Sequence, residues 1–160
     1  MSIDIRQAEG DEDLGFMLSL GRRLAGAIHS GMHDPAAIQA FQDDYSAANL
    51  KDPPANALTM IAVDDAGKRL GFVHAIPGPD GITGATIGSI ALLAVIEAAE
   101  GRGVARRLLE CAEAWARRSG YKVLSLDVFS SNGRGRRFYE KNGFAEETIR
   151  MVKHVGGPVS

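Results

Sequence analysis

Residues 87–105 read Ile87-Gly88-Ser89-Ile90-Ala91-Leu92-Leu93-Ala94-Val95-Ile96-Glu97-Ala98-Ala99-Glu100-Gly101-Arg102-Gly103-Val104-Ala105. The apolar run 90–96 is too short, and too β-branched at its end, for an independent helix, so it predicts a buried strand. A short acidic connection, 97–100, leads into Gly101-Arg102-Gly103-Val104-Ala105, which opens a long amphipathic helix. A strand passing through a glycine-rich turn into a helix N-terminus makes an anion site. The first helical N–H groups have no intrahelical partners, and the dipole places partial positive charge there. Gly101 and Gly103 let the main chain approach a ligand closely, and Ala105 keeps the first turn thin. The stretch predicts a diphosphate site.

Working outward, the helix carries Val104, Leu108, Cys111, Ala112 and Trp115 on one face, and Arg106, Arg107, Glu110, Glu113, Arg117 and Arg118 on the other. Ser119-Gly120 ends it. Residues 122–129 read as a strand with Leu124, Leu126 and Val128 on one face and Ser125 and Asp127 on the other. Ser130-Ser131-Asn132-Gly133 turns into a short helix bearing Phe138 and Tyr139, stopped near Asn142-Gly143. A last strand is expected over 144–155, and the final residues, from 155 or 156 to 160, as a loose tail.

Upstream, residues 3–7 predict a short strand, and Asp11, Glu12 and Asp13 start a helix that runs through Leu14, Met17, Leu18, Leu20, Leu24 and Ile28. Gly31 and Asp34-Pro35 end it and start another over 36–48, with Ile38, Phe41 and Tyr45 on one side. A loop over 49–56 precedes a hairpin of strands 58–63 and 69–76, turned at 64–67 and followed by a breaker-rich loop at 77–81. The order β-α-α-β-β-β-α-β-α-β predicts an α/β fold: one domain over 1–160, with a mixed central sheet flanked by helices.

The 160 residues are 45% hydrophobic and 24% charged, the balance of an ordinary globular protein. The longest apolar run, seven residues at 90–96, is far short of a membrane span, and no cationic, apolar leader with a cleavage signal is read. The single cysteine, Cys111, excludes an internal disulfide and suits a reducing compartment, so a cytoplasmic location is expected. The net charge of −2 hides an asymmetry: residues 1–100 carry 6 Lys/Arg against 14 Asp/Glu, and residues 101–160 carry 12 against 6. The basic part holds the anion site, which fits a small polyanion; neither nucleic acid nor membrane is indicated as a partner.

The second half resembles the GNAT superfamily of N-acetyltransferases, which use acetyl-CoA. The family's strand end, Leu-x-Val, reads Leu93-Ala94-Val95, and its Arg/Gln-x-x-Gly-x-Gly/Ala loop corresponds to Glu100-Gly101-Arg102-Gly103-Val104-Ala105. Its next block, an Asn followed by an aromatic pair and a Gly-Phe, reads Asn132, then Phe138-Tyr139, then Gly143-Phe144. By that resemblance, covering about residues 83–155, the main chain of Leu93, Ala94 and Val95 pairs with the pantetheine arm. Residues Glu100, Gly101, Arg102, Gly103, Val104 and Ala105 wrap the pyrophosphate, Asn132 reaches the cofactor, and Tyr139 protonates the departing thiolate as general acid. The implied activity moves an acetyl group from acetyl-CoA to a primary amine, on a small molecule or a peptide, by direct attack with both bound. Family members often dimerise.

Two departures qualify the resemblance. Glu100 stands where the family usually carries Gln or Arg, so modestly weakened binding is expected. The central strand holds no acid and no histidine, which leaves the general base unassigned; His74 and Asp127 are outside candidates. His74 reads first as a hydrogen-bonded core or cleft histidine, Glu97 as solvated, and Cys111 as inert core packing. His29 and His33 flank a helix end with Asp34, but no further clustered ligand joins them, so no metal site is assigned. The arginines at 102, 106, 107, 134, 136 and 137 include phosphate-contact candidates within a mostly solvated set. With no base visible, a non-catalytic acyl-CoA-binding or sensing domain stays open, as does an acyltransferase using a longer acyl-CoA.

Overall fold

The computed structural model describes residues 2–157. Five strands, β1 (Asp4–Gln7), β2 (Leu58–Val63), β3 (Arg69–Pro79), β4 (Thr86–Val95) and β5 (Leu124–Leu126), form one sheet in sequence order. Neighbours run antiparallel except β4 and β5, which are parallel. That mixture follows from the connections. Short turns join β2 to β3 and β3 to β4, whereas α4 (Val104–Arg118) crosses between β4 and β5.

The pleat sorts side chains to two cores. On one face Ile61, Val63, Phe72, Leu92 and Ala94 meet Met17 of α1 (Gly10–Ser19), Leu20 and Leu50 of α3 (Pro35–Lys51). On the other, Ala62, Val73 and Ile90 meet Val104, Leu108, Leu109 and Ala112 of α4. Leu108 and Leu109 are fully buried, each worth about 1.5–3 kcal/mol of burial free energy. The α4 C-terminus closes as the sequence predicts: Gly120, at φ 78°, donates to the Arg117 carbonyl and Tyr121 donates to that of Ala116. Among the described residues no helix is long and apolar enough to cross a membrane.

Several expectations are corrected. The helix expected from 11 to 28 breaks at Leu20 (φ −83°, ψ 0°) and restarts as α2 (Gly21–Gly26). The break lets α2 pack on α3, with Gly21 close to the Asp43 carboxylate, 2.9 Å from where a Cβ would stand. On α3 the inward residues are Gln42, Ser46 and Leu50, while Phe41 and Tyr45 stack on each other in the open. Strand β3 runs on through Pro77-Gly78-Pro79, because Pro79 still pairs with Thr86 of β4. The strand expected over 122–129 shrinks to Leu124–Leu126, the length that finds a partner on β4. After α5 (Gly133–Lys141) the strand expected over 144–155 is not formed. Cys111 is half-buried rather than in the core. Of the tail, residues 158–160 lie outside the described residues, and 155–157 are exposed.

Candidate active site

Strands β4 and β5 pair only from Gly88 with Leu124 to Ile90 with Leu126, and beyond that point they part. At the same place a bulge interrupts the β3–β4 ladder. His74 faces Leu92 and Ala75 faces Ile90, so Ala91 is the extra residue. The bulge changes which face the strand buries: Ile90 packs on the α4 side, Leu92 and Ala94 on the α1 side. It also sets the direction of the main chain. The Ala94 carbonyl points at β3, 2.6 Å from where a Cβ on Gly71 would lie, so that position must be glycine. Ile96 N–H likewise donates to the β3 residue Leu70 at 2.8 Å. Successive residues of a strand offer their polar groups to opposite neighbours, so Leu93 and Val95 face the gap and Ala94 does not. The Val95 carbonyl on the open side accepts from Arg23 Nε at 2.6 Å.

The gap leads to the glycine loop. A single 3-10 turn, Glu97–Ala99, carries the chain to Gly101 (φ 74°) and Gly103 (φ 79°), both left-handed. No atom lies within 4 Å of a Cβ built on either glycine, so the loop faces open space. Gly103 is the N-cap of α4 and brings no side chain to the helix's first N–H groups. Val104 is buried and anchors the first turn from below, and Ala105 is half-buried. Arg102 is exposed on the loop between the two glycines. Glu100 is not alone: Arg134 Nη1 lies 2.5 Å from Oε2, and Arg23 Nη2 pairs with Oε1. The carboxylate is thus bracketed by two guanidinium groups, from α2 and α5.

The helix after the β5–α5 turn reaches the glycine loop through Arg134, which pairs with Glu100. Asn132 caps α5, its Oδ1 accepting from Gly135 N–H at 2.9 Å. Tyr139 is half-buried, edge-on to Phe138 (5.3 Å between ring centroids) and Phe144 (5.7 Å). Burial pushes its phenol up to about 12, so it is protonated at neutral pH. His29 N–H donates to Ser131 Oγ at 3.0 Å, tying the α2–α3 loop to this turn. Beside it, Arg22, His29, His33, Ile38 and Gln39 line a cleft of about 610 Å³ between α2 and α3.

The two base candidates separate. His74 is fully buried; Nδ1 bonds Thr59 Oγ1 at 2.8 Å and Nε2 has no partner among the described residues. Desolvation pushes its pKa down to about 4, which makes it a poor proton acceptor at neutral pH. Asp127 is exposed just past β5, and Glu97 is exposed on the 3-10 turn. The Cys111 thiol is pushed up by burial and is correspondingly unreactive. Sequence reasoning missed Arg23, since nothing along the chain links residue 23 to residue 95. It also missed Asp13, which the acidic triplet suggested only as a helix starter. Its carboxylate is buried and accepts from Arg6 at 2.6 and 2.9 Å and from Arg69 at 2.7 Å.

This geometry has close relatives. The sequence pattern of the family described as acetyltransferase (GNAT) matches residues 18–144. Over 89 residues the chain is 29% identical to YhfO of Bacillus subtilis, named as an uncharacterized N-acetyltransferase; the alignment spans 56% of this chain and 60% of that protein. A Pyrococcus furiosus protein named as a candidate acetyl transferase shares the fold at a TM-score of 0.78 and 21% identity, over 96% of this chain and 100% of its own. AAC(6')-Iy, solved in complex with the bisubstrate analogue CoA-S-monomethyl-acetylneamine, superimposes with a TM-score of 0.62 at 23% identity, over 99% of this chain and 100% of its own. The matched pattern covers most of the chain, including the split strands and the glycine loop: the chain belongs to the acetyltransferase (GNAT) family.

Proposed function

We propose that the protein is an N-acetyltransferase that moves the acetyl group of acetyl-CoA to a primary amine bound alongside it. The observation that carries this reading is the parting of β4 from β5 after Ile90 and Leu126, continuous with an open glycine loop at the α4 N-terminus. A long, thin ligand ending in a diphosphate fits both features. Leu93 and Val95 offer gap-facing main-chain groups to an amide-bearing arm, whereas Ala94 contributes its buried side chain to the α1-side core. The N–H groups of residues 101–105 suit the diphosphate, with Arg23 and Arg134 at hand to add charge.

Acetyl-CoA, when bound, supplies the acetyl group as a thioester. The chain's own residues then have three tasks. A gap-facing N–H at Val95 stabilises negative charge gathering on a carbonyl oxygen. The protonated phenol of Tyr139 donates towards a departing sulfur. The attacking nitrogen gives up one proton and the sulfur gains one, so the exchange balances without a cofactor of other kind. His74 is too weak a base, and too enclosed, to take the amine's proton; an amine arriving neutral, or losing its proton to water, meets that need.

Release of free thiol from acetyl-CoA across a panel of amines tests the activity. Tyr139→Phe is expected to lower kcat by about 100-fold or more, the usual scale of acid catalysis, with CoA affinity unchanged; equal turnover removes Tyr139 from the mechanism. Tight CoA binding without turnover on any amine would instead favour an acyl-CoA-sensing domain. Preference for a longer acyl donor would be read from the relative kcat/KM of acyl-CoAs.

A further inference from the structure

The acidic part of the chain, before residue 100, holds four arginines, and three of them are taken up by carboxylates. Arg6 and Arg69 pair with Asp13, and Arg23 pairs with Glu100. Arg22 has no such partner among the described residues. It lines the cleft of about 610 Å³ between α2 and α3, together with His29, His33 and Gln39 and the apolar Ile28 and Ile38. No aspartate or glutamate among the described residues lines that cleft, although residues 1–100 carry 14 of them against 6 Lys/Arg. The carboxylates at hand on α3 are already engaged. Asp34 Oδ1 accepts from Ala37 N–H at 2.8 Å, and Asp43 Oδ1 accepts from Gln39 Nε2 at 2.8 Å. The rings of His29 and His33 have no hydrogen-bond partner among the described residues. The cleft beside α1 differs, because there Arg6 and Arg69 are both bound to Asp13.

We propose that this cleft binds an acidic group of the acceptor: the amine to be acetylated carries a carboxylate or a phosphate, held by Arg22 with His29 and His33. The identity of the ligand as an acceptor rests on the acetyltransferase reading; the affinity of the cleft for an anion does not. A guanidinium presents paired donors that match two oxygens of either anion, and the imidazoles add further N–H donors. Ile28 and Ile38 suit the carbon chain that joins acid to amine. The volume falls within the range of small-molecule sites, about 300–1,000 Å³. Both ends of the cleft are tied to the gap between β4 and β5. Arg23, adjacent to Arg22 on α2, donates from Nε to the Val95 carbonyl at 2.6 Å and pairs with Glu100. At the other end His29 N–H donates to Ser131 Oγ at 3.0 Å, one residue before Asn132. An acid seated between these ties leaves the amine end free to run towards the point where β5 leaves β4, after Leu126. The same wall selects against other amines. A neutral acceptor gives Arg22 no counter-charge, and a diamine sets a second cation against it.

Thiol release from acetyl-CoA is to be compared for β-alanine, phosphoethanolamine, propanolamine and diaminopropane. At least one of the two acid-bearing amines should exceed the neutral and the dicationic one in kcat/KM by about tenfold or more, and which of the two leads tells carboxylate from phosphate. Arg22→Gln should cut that ratio by about tenfold, chiefly through KM, and Arg22→Lys should keep part of it because the charge stays. Equal kcat/KM on acidic and neutral amines, or a ratio that Arg22→Gln leaves untouched, overturns the proposal. Binding is read separately, at fixed pH, from the ring resonances of the histidines during titration with β-alanine and with phosphoethanolamine. The rings of His29 and His33 should shift in the wild type and not in Arg22→Gln, while that of His154, beyond α5, stays put. Rings that respond without turnover of any amine would keep the anion subsite and sink the acetyltransferase reading. Turnover of amines with both rings silent would do the reverse.

Discussion

A carboxylate at the mouth of a diphosphate cradle repels its ligand only as far as its charge is left uncompensated. Glu100 is flanked by Arg23 and Arg134, so in the proposed diphosphate site its cost to binding is indirect: it occupies two guanidinium groups that a phosphate could otherwise engage. Arg134 is largely exposed, and solvent discounts that pair. Glu100→Gln should therefore raise affinity for CoA by about two- to fivefold, or about 0.4–1 kcal/mol, with steeper salt dependence. Calorimetric titration at low and high salt reads both; weaker binding would mean that the carboxylate's main task is to hold the arginines in place. Asp13 is the opposite case, a buried charge fully satisfied by Arg6, Arg69 and Glu9 N–H. Its two arginines are about a third exposed and can turn to water once the partner is gone. Asp13→Asn should cost about 2–3 kcal/mol, below the range for a pair enclosed on both sides, measured as a lower urea midpoint.

At the scale of elements, the glycine loop is a place where the fold and the proposed binding of CoA make separable demands. Gly103 holds φ 79° at the α4 N-cap with open space above it. Gly103→Val should lose about 1–2 kcal/mol of stability to left-handed strain, while CoA binding disappears because the side chain fills the cradle. A folded variant that still bound CoA with native affinity would detach the loop from the site. The loop was legible because its chemistry is local: glycines beside a helix start mean the same thing in sequence and in space. The hairpin of β2 and β3 and the apolar face of α4 were legible for the same reason. The strand over 144–155 was not, since alternation marks a segment able to pair but does not supply its partner. The bulge at Ala91, which aims Val95 into the gap, and the reach of Arg23 to Val95 arise from tertiary register. No single stretch of sequence carries them. The break at Leu20 belongs with them, because it answers to the packing of α2 on α3.

For the molecule as a whole, acid stability combines groups that no single element controls. His74 is buried between Thr59 and Leu92 with its pKa pushed down to about 4 by desolvation. The unfolded chain, with an ordinary histidine pKa near 6.5, binds the proton first as pH falls. Its contribution is therefore complete above about pH 6.5 and is lost on the way down to about 4, on the order of 3 kcal/mol in all. Asp13 is held well below the usual carboxylate range, chiefly by its hydrogen bond to Arg6, so its contribution is complete above about 4 and fails only at still lower pH. The two losses fall in succession rather than together. Urea midpoints between pH 7.5 and 4.5 should thus show wild-type stability declining by up to about 1.4 kcal/mol per unit below pH 6. In His74→Leu that decline should flatten, whatever the variant's absolute stability, because the buried proton acceptor is gone. An equal slope in both proteins would place the acid sensitivity in the carboxylates instead and leave His74 as a packing residue.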